Sequence, residues 1–505
     1  MFRIFGPPGT GKTTTLLNMV DDALEQGVAP QQIAFLAFTR KAANEAKERA
    51  AKRFNLDPRS DLEFFRTLHS LALTMTAIQP EQIMQDSHYA ELSRAMGVTL
   101  GAPNNTNFDE DLPSLATSTD PILGLINLAR LRRVPLREQY NISTIDQDWN
   151  TVDYVDRCLT EYKQSMELYD FTDMLENFVK EGDICCPSFD LVFLDEAQDL
   201  SPLQWEIAHL LDGNAKRMYC AGDDDQAIYK WAGADVDHFI NLPGGSETLT
   251  QSYRIPKSVH QVAEGVASRI HRRFPKVYEP KTEVGNVNRV DTIDYLDMSE
   301  GSWLILSQAG YQLQPVAQDL KSGGYLFNYR GHRSISQKIS DAVNGWEQLR
   351  KGREISGEVA KKIYNFMSSK TRVTRGFKRL SGVEDTDFVT FDYLVSSQGL
   401  LATKEMIWSE AMDKLPDADR AYITALLRRG EKFNGDPRIT ASTIHAAKGG
   451  EADNVVLFTD LSPAADAEMR RNPDDIHRVF YVAVTRAKEN LFIIEPEDLT
   501  CSYDL

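Results

Sequence analysis

Cysteine is scarce in this chain: five in 505 residues, at Cys158, Cys185, Cys186, Cys220 and Cys501. None forms a C-x-x-C pair and the number is odd, so the sequence indicates neither structural zinc nor a disulfide framework. A reduced compartment fits. Excess positive charge is also lacking. Lys and Arg total 56 against 74 Asp and Glu, a net charge of −18. This excludes a wholly basic wrapper of nucleic acid, although a basic groove can sit on an acidic protein. No apolar run reaches the ~18 residues that a membrane helix needs. No signal peptide opens the chain, and no short repeat recurs along it. With 42% hydrophobic and 26% charged residues, the expectation is an ordinary cytoplasmic globular protein of several domains, on a prior of roughly 150 residues each.

What is present begins at residue 2. Phe2-Arg3-Ile4-Phe5 alternates apolar and polar residues, as a short strand does. Gly6-Pro7-Pro8-Gly9-Thr10-Gly11-Lys12-Thr13 then fits G-x-x-x-x-G-K-[ST]. Glycines at Gly9 and Gly11 let successive N–H groups converge on phosphate oxygens. Thr14 to Val20 reads as a helix start, whose positive dipole end faces the same anion. Lys12 would reach the β- and γ-phosphates, and the Thr13 hydroxyl would hold Mg²⁺. The alternative is a Gly-rich turn that matches by chance.

Ile33 to Ala37, Leu191 to Leu194 and Met218 to Ala221 are continuous apolar strands, as in a parallel sheet buried on both faces. Strands separated by helices predict an α/β fold. The stretch 77–156 is polar, Asn-rich around Asn104-Asn105, and reads as a mostly helical insertion. A second α/β pattern has strands at Trp303 to Leu306, Asn454 to Phe458 and Leu491 to Ile494, and is interrupted by a charged, helical stretch at 341–436. The expected organisation is a first core of 1–76 and 157–247 with its insertion 77–156. A second core of 248–340 and 437–505 would carry the insertion 341–436.

Hydrolysis requires a metal carboxylate and a group that orients water. Asp195-Glu196-Ala197-Gln198-Asp199 directly follows a buried strand. Asp195 could hold Mg²⁺, and Glu196 could polarise the attacking water. Two carboxylates at an exposed strand end are the plain alternative. After the next strand, Gln226 could sense the γ-phosphate, because an amide both donates and accepts. Tyr229 and Trp231 follow it. Trp231 could fill a core, or could be a platform for a DNA base, worth ~1–3 kcal/mol.

GPPGTGKT, AFTRKAA (37–43), TLHS (67–70), DFTDML (170–175), LDEAQD (194–199), GDDDQAIYKWAGA (222–234), QSYR (251–254), TIHAAKGGE (443–451) and YVAVTRAK (481–488) stand in that order. The series resembles the motifs of superfamily 1 DNA helicases of the UvrD/Rep/PcrA type, running from residue 6 to 488. The resemblance implies two RecA-like P-loop cores with parallel sheets, binding ATP and Mg²⁺ in a cleft between them. Gly6 to Thr14, Tyr253, Arg254, Glu451 and Arg486 would contact nucleotide. Tyr253 would stack on adenine, Glu451 would accept from the ribose, and Arg254 and Arg486 would reach the γ-phosphate from the second core. Phe38, Thr39, Thr67, His69, Tyr229, Trp231, Thr443 and His445 would touch single-stranded DNA. His69 and His445 could instead be core histidines, and Arg254 and Arg486 could be solvated.

The implied activity is ATP-dependent translocation on single strands and unwinding at single-/double-strand junctions, 3′→5′ favoured, alongside unidentified replication or repair proteins. The rivals are a 5′→3′ motor and an ATPase that remodels nucleoprotein without unwinding. The sequence departs from the family in four ways. Thr14 stands where Arg is frequent, and no adenine-reading segment stands before Phe2, so loose nucleotide preference is expected. The insertion 341–436 is short for a duplex-engaging subdomain. No nuclease follows Leu505, a compactness that would suit a phage-encoded protein. Basic clusters at Arg130, Arg132, Arg133 and Arg137, and at Lys370, Arg372, Arg375, Lys378 and Arg379, are candidate duplex contacts or plain solvated faces.

Overall fold

The computed structural model describes residues 1–101, 120–432, 434–496 and 498–505; Asn104 and Asn105 lie outside them. The chain forms two compact units. One comprises Met1–Gly285 with Ala467–Thr485, the other Asn286–Asp466 with Arg486–Asp504. Among the described residues no helix is long and apolar enough to cross a membrane.

The first unit is built on β1 (Phe2–Phe5), β2 (Ile33–Ala37), β3 (Phe65–Thr67), β4 (Phe189–Leu194), β5 (Ala215–Gly222) and β6 (Ser246–Thr248). They form one sheet in the order β3-β2-β4-β5-β1-β6, parallel throughout. Successive residues serve opposite faces. Ile4, Phe35, Phe193 and Ala221 pack with Leu16 and Val20 of the helix Lys12–Glu25. Phe5, Leu36, Leu194 and Cys220 pack on the other side with Trp205 and Phe239. Both faces being covered explains why these strands read as unbroken apolar runs. In the insertion 77–156 the described elements are helical. Met84, Tyr89, Ile122, Ile126, Val152 and Val155 give it a core of its own.

Sequence reading places 248–285 with the second core, but the structure puts it in the first unit. The reason is β6, which runs parallel to β1 with Ile4 opposite Glu247, after which the Leu249 N–H donates to the Phe5 carbonyl at 2.8 Å. The helix Lys257–Ala267 then packs on the helix Pro473–Val484, which therefore also belongs to the first unit.

The second unit contains β7 (Asn286–Val290), β8 (Trp303–Ser307), β9 (Phe327–Tyr329) and β10 (His332–Arg333), a two-residue pair β11 (Ile355–Ser356) and β12 (Phe388–Val389), and β13 (Ile439–Thr443), β14 (Ala452–Phe458) and β15 (Ala487–Ile494). Its seven-stranded sheet has the order β10-β9-β13-β8-β14-β15-β7, parallel except for the β9–β10 hairpin. Its insertion shares one core with the sheet: Trp346, Ile363, Leu394 and Ile423 are continuous with Trp303, Ile305, Phe327 and Val456.

Candidate nucleotide and nucleic-acid sites

In the first unit β1, β4 and β5 end side by side at the carboxyl edge of the sheet, where α/β folds place their ligands. The Gly6 N–H donates to the Gly222 carbonyl at 2.9 Å and ties the phosphate loop to the end of β5. Thr10 donates through Oγ1 to the Pro7 carbonyl at 2.8 Å and closes the turn. Lys12 folds back over the loop, its Nζ donating to the Gly6 carbonyl at 3.0 Å. A Cβ on Gly6 would fall 2.0 Å from Lys12 Cγ, so only glycine allows this lysine path. Gly11, at φ +81°, caps the helix Lys12–Glu25 without a side chain, which leaves its first-turn amides available to an anion. Thr14 is exposed in that turn.

Thr13 Oγ1 donates to Asp195 Oδ2 at 2.6 Å. Asp195 is buried, and burial together with Glu196 pushes its carboxyl up to about 6. Hard oxygen donors, one of them a buried carboxylate, suit Mg²⁺; Thr13 and Asp195 are the residues that would hold it. Glu196 sits in the left-handed region at φ +55°, an uncommon conformation for a residue with a side chain. Gln198 Nε2 donates to Glu196 Oε2 at 2.6 Å, and Gln198 Oε1 accepts from the Asp223 N–H at 2.9 Å. Gln198 thereby joins the end of β4 to the end of β5. Gln226 Nε2 donates to Asp223 Oδ2 at 2.7 Å.

Tyr253 and Arg254 lie beside the loop within this same unit. This corrects the expectation that Arg254 comes from the second core. The Ser252 hydroxyl donates to the Pro8 carbonyl at 2.8 Å and the Tyr253 N–H donates to the Gly9 carbonyl at 2.9 Å. Gly9 adopts φ +72°, and a Cβ there would lie 2.3 Å from Arg254 Cβ. Tyr253 is 75% exposed. In the second unit Arg486 is buried just before β15, its Nη1 donating to the Gly450 carbonyl at 3.3 Å. Its own carbonyl accepts from the Ala452 N–H at 3.1 Å. Glu451, between those two partners, is exposed. Thr443 ends β13, and its Oγ1 accepts from the Ala446 N–H at 3.3 Å. Burial and Lys448 push nearby His445 down to about 4.

The other DNA candidates gather at the first sheet. Thr39 and Thr67 cap the helices Arg40–Phe54 and Leu68–Met75. Phe38 and Tyr229 stack with ring centroids 5.7 Å apart, and Trp231 meets Tyr229 edge-on at 6.4 Å. Tyr229 is 6% exposed and Trp231 44%, so Tyr229 is the packed member and Trp231 the open one. Burial and Arg40 push His69 down to about 4. It lines a small cavity with Phe38, Asp199 and Tyr229. In the first basic cluster Arg130 turns inward, whereas Arg133 and Arg137 are exposed. Arg130 pairs with Asp170 at 2.8 Å, with Asp173 at 2.5 Å and with Glu176 at 2.6 Å; Arg133 pairs with Glu206 at 2.8 Å. Arg132 donates to Gln139 at 3.0 Å, and Arg137 lies over the Trp149 ring at 4.4 Å. In the second cluster Arg372 and Lys378 donate to the carbonyls of Glu410 and Met367, each at 2.9 Å.

Sequence reasoning missed Gln198, Ser252 and Lys276. The first two lie inside quoted motifs, LDEAQD and QSYR; Gln198 joins parts of the site through both ends of its amide and Ser252 through its hydroxyl. Lys276 had no sequence signal, because a buried lysine is recognisable only by its partners.

A phosphate loop feeding a helix, with a buried carboxylate on the loop threonine and an amide at the next strand end, defines a P-loop nucleotide-binding protein. Residues 2–244 match the model of the UvrD/REP helicase N-terminal domain, and residues 411–497 match that of the UvrD-like helicase C-terminal domain. The chain belongs to the UvrD/Rep helicase family, and its cores are RecA-like P-loop domains. It is 26% identical to the ATP-dependent DNA helicase PcrA of Leuconostoc citreum, over 97% of this chain and 79% of that protein. It is 23% identical to the probable DNA helicase II homolog of Rickettsia conorii, over 98% of this chain and 90% of that one. It is 24% identical to YjcD of Bacillus subtilis over 81% of its length, but spans little more than half of that relative, 55%.

Proposed function

We propose that this chain is an ATP-dependent single-stranded DNA translocase and DNA helicase, moving 3′→5′ and acting with Mg²⁺ at single-/double-strand junctions. The observation that carries the reading is the bond of 2.6 Å between Thr13 and Asp195, beside the Lys12 loop and the Glu196–Gln198–Asp223–Gln226 chain. Lys12 exchanges its Gly6 carbonyl for phosphate oxygens. Glu196, held by Gln198, accepts a proton from the attacking water. Gln226 orients that water against the γ-phosphate, and Arg254 and Arg486 stabilise the charge on the transferred group. A bound Mg²⁺ would neutralise phosphate charge at Thr13 and Asp195. Tyr253 stacks on the base and Glu451 accepts from the ribose.

Strand grip falls to Phe38, Thr39, Thr67, His69, Tyr229 and Trp231 in one unit and to Thr443 and His445 in the other. Trp231 follows Gln226 by five residues, a short covalent path from phosphate sensor to base platform. The open Trp231 ring beside the packed Phe38–Tyr229 pair supports a stacking role. The test is unwinding of partial duplexes with 3′ or 5′ tails, with and without ATP, alongside displacement of a streptavidin block. ATP-dependent opening of 3′-tailed duplex is expected. Opening of 5′-tailed duplex alone would reverse the polarity. Block displacement without opening of either duplex would make the chain a remodeller.

A further inference from the structure

Behind Gln226 lies a buried charge cluster for which hydrolysis as described above has no use. Asp223, Asp224 and Asp225 follow β5 and are all buried. Lys276, itself buried, reaches all three carboxylates, at 3.1, 2.7 and 2.7 Å. Arg273 pairs with Asp225 at 2.5 Å. The Phe274 N–H donates to Asp224 Oδ2 at 2.7 Å, and Arg478 donates through Nε to the Asp224 carbonyl at 2.9 Å. Three carboxylates this close cannot all stay ionised without a cation between them.

One member faces the site. Asp223 Oδ2 accepts from Gln226 Nε2 at 2.7 Å, while Asp223 Oδ1 faces Lys276 Nζ. An ionised carboxylate only accepts, so its partner amide must present NH₂ to it and direct Oε1 elsewhere. The orientation of an amide is set by such partners and by nothing in its own shape. A protonated or neutral group at Asp223 could donate to Oε1 instead, and the amide would then turn NH₂ outward. An outward Oε1 accepts a hydrogen from the attacking water; an outward NH₂ can only donate, to water or to a phosphate oxygen, and leaves the water's hydrogens without that acceptor.

We infer that Lys276 is a positioning residue for ATP hydrolysis: it holds Asp223 as an ionised acceptor and thereby fixes which end of the Gln226 amide faces the nucleotide. The inference rests on Gln226 orienting the attacking water, as proposed above. Arg273 pairs with Asp225, the Phe274 N–H and Lys276 hold the Asp224 carboxylate, and Arg478 holds the Asp224 carbonyl; Asp223 is the member of the cluster whose side chain meets both Lys276 and the Gln226 amide.

The test is steady-state ATP hydrolysis by the full chain at saturating single-stranded DNA, for Lys276→Met, Asp223→Asn, Gln226→Ala and the doubles of each of the first two with Gln226→Ala. Asp223→Asn preserves shape and carries the test by itself if Lys276→Met does not fold. For Asp223→Asn and for folded Lys276→Met, kcat should fall by at least about tenfold, the range of a misplaced water-orienting group. KM for ATP should stay within about threefold, since the binding contacts are untouched. Each double should be no slower than Gln226→Ala, because one path cannot be cut twice. Parent kcat in Asp223→Asn or folded Lys276→Met, or losses that multiply in the doubles, would overturn the inference while leaving the water-orienting role of Gln226 in place. Parent hydrolysis by Gln226→Ala would remove that role, and this inference with it.

Discussion

Replacing Trp231 by alanine separates grip on the strand from chemistry on the nucleotide. The indole is 44% exposed and meets Tyr229 edge-on at 6.4 Å, while Tyr229 is 6% exposed and stacked on Phe38. Truncating a fully buried tryptophan costs ~3–5 kcal/mol. With little more than half the residue buried, the cost here should be about 2 kcal/mol. The lost base contact is worth ~1–3 kcal/mol, so affinity for single strands should weaken by about tenfold, one decade being 1.4 kcal/mol. Lys12, Asp195, Glu196 and Gln226 are untouched, so ATP turnover without DNA should remain near the parent rate. Unwinding should fall further than binding, because a strand that slips while the motor cycles wastes the cycle. Fluorescence anisotropy on a labelled oligonucleotide, a basal ATPase assay, an unwinding assay and a thermal melt on one preparation read all four quantities. A melt lowered as by a core deletion, with basal turnover lost, would refute the platform.

Lys12→Ala should abolish ATP turnover, whereas Glu196→Gln should bind ATP and fail to hydrolyse it, read by nucleotide binding and phosphate release; parent hydrolysis by Glu196→Gln would clear Glu196 of water activation. Gly9→Ala should cost about 3–4 kcal/mol, from ~1–2 for a left-handed alanine and ~1 each for the Tyr253–Gly9 and Ser252–Pro8 bonds that the new Cβ displaces. Chemical denaturation reads that cost, and an unchanged transition would show that the 252–254 segment does not bear on the loop. Asp195 has a carboxyl raised to about 6 against an ordinary 3.8, so the native state binds more protons than the unfolded chain between those values and stability falls as pH rises through them. Asp195→Asn should therefore raise the melting temperature of the nucleotide-free protein at pH 8, and the gain should vanish as pH falls towards 4, while Mg²⁺-dependent turnover is lost at every pH.

Legibility in the sequence followed burial. Phe2–Phe5 and Ile33–Ala37 were read to the residue, because their side chains serve the packed faces of a sheet and hydrophobicity marks their ends. β5 was read only from Met218, since its first residues, Ala215, Lys216 and Arg217, lie outside the core. β6 was missed altogether: Ser246-Glu247-Thr248 is a polar edge strand held by backbone pairing with β1. That omission moved a domain boundary, because without β6 nothing tied 249–285 to the first sheet and Arg254 was placed with the wrong unit. The phosphate loop and the Asp195-Glu196 pair were legible for a different reason. Their chemistry is written in consecutive residues, at strand ends that hydrophobicity had already located. Lys276 is the opposite case. It lies 51 residues beyond Asp225, in a segment with no motif, and its meaning arises from three carboxylates that the fold brings to it. Groups that touch the nucleotide stand in local patterns; the groups that aim them are distributed, because a buried charge can be held only by partners that the chain must fold to supply. Lys276 and Gln198 are both of this kind, a buried cation and a buried amide held by partners at the ends of β4 and β5.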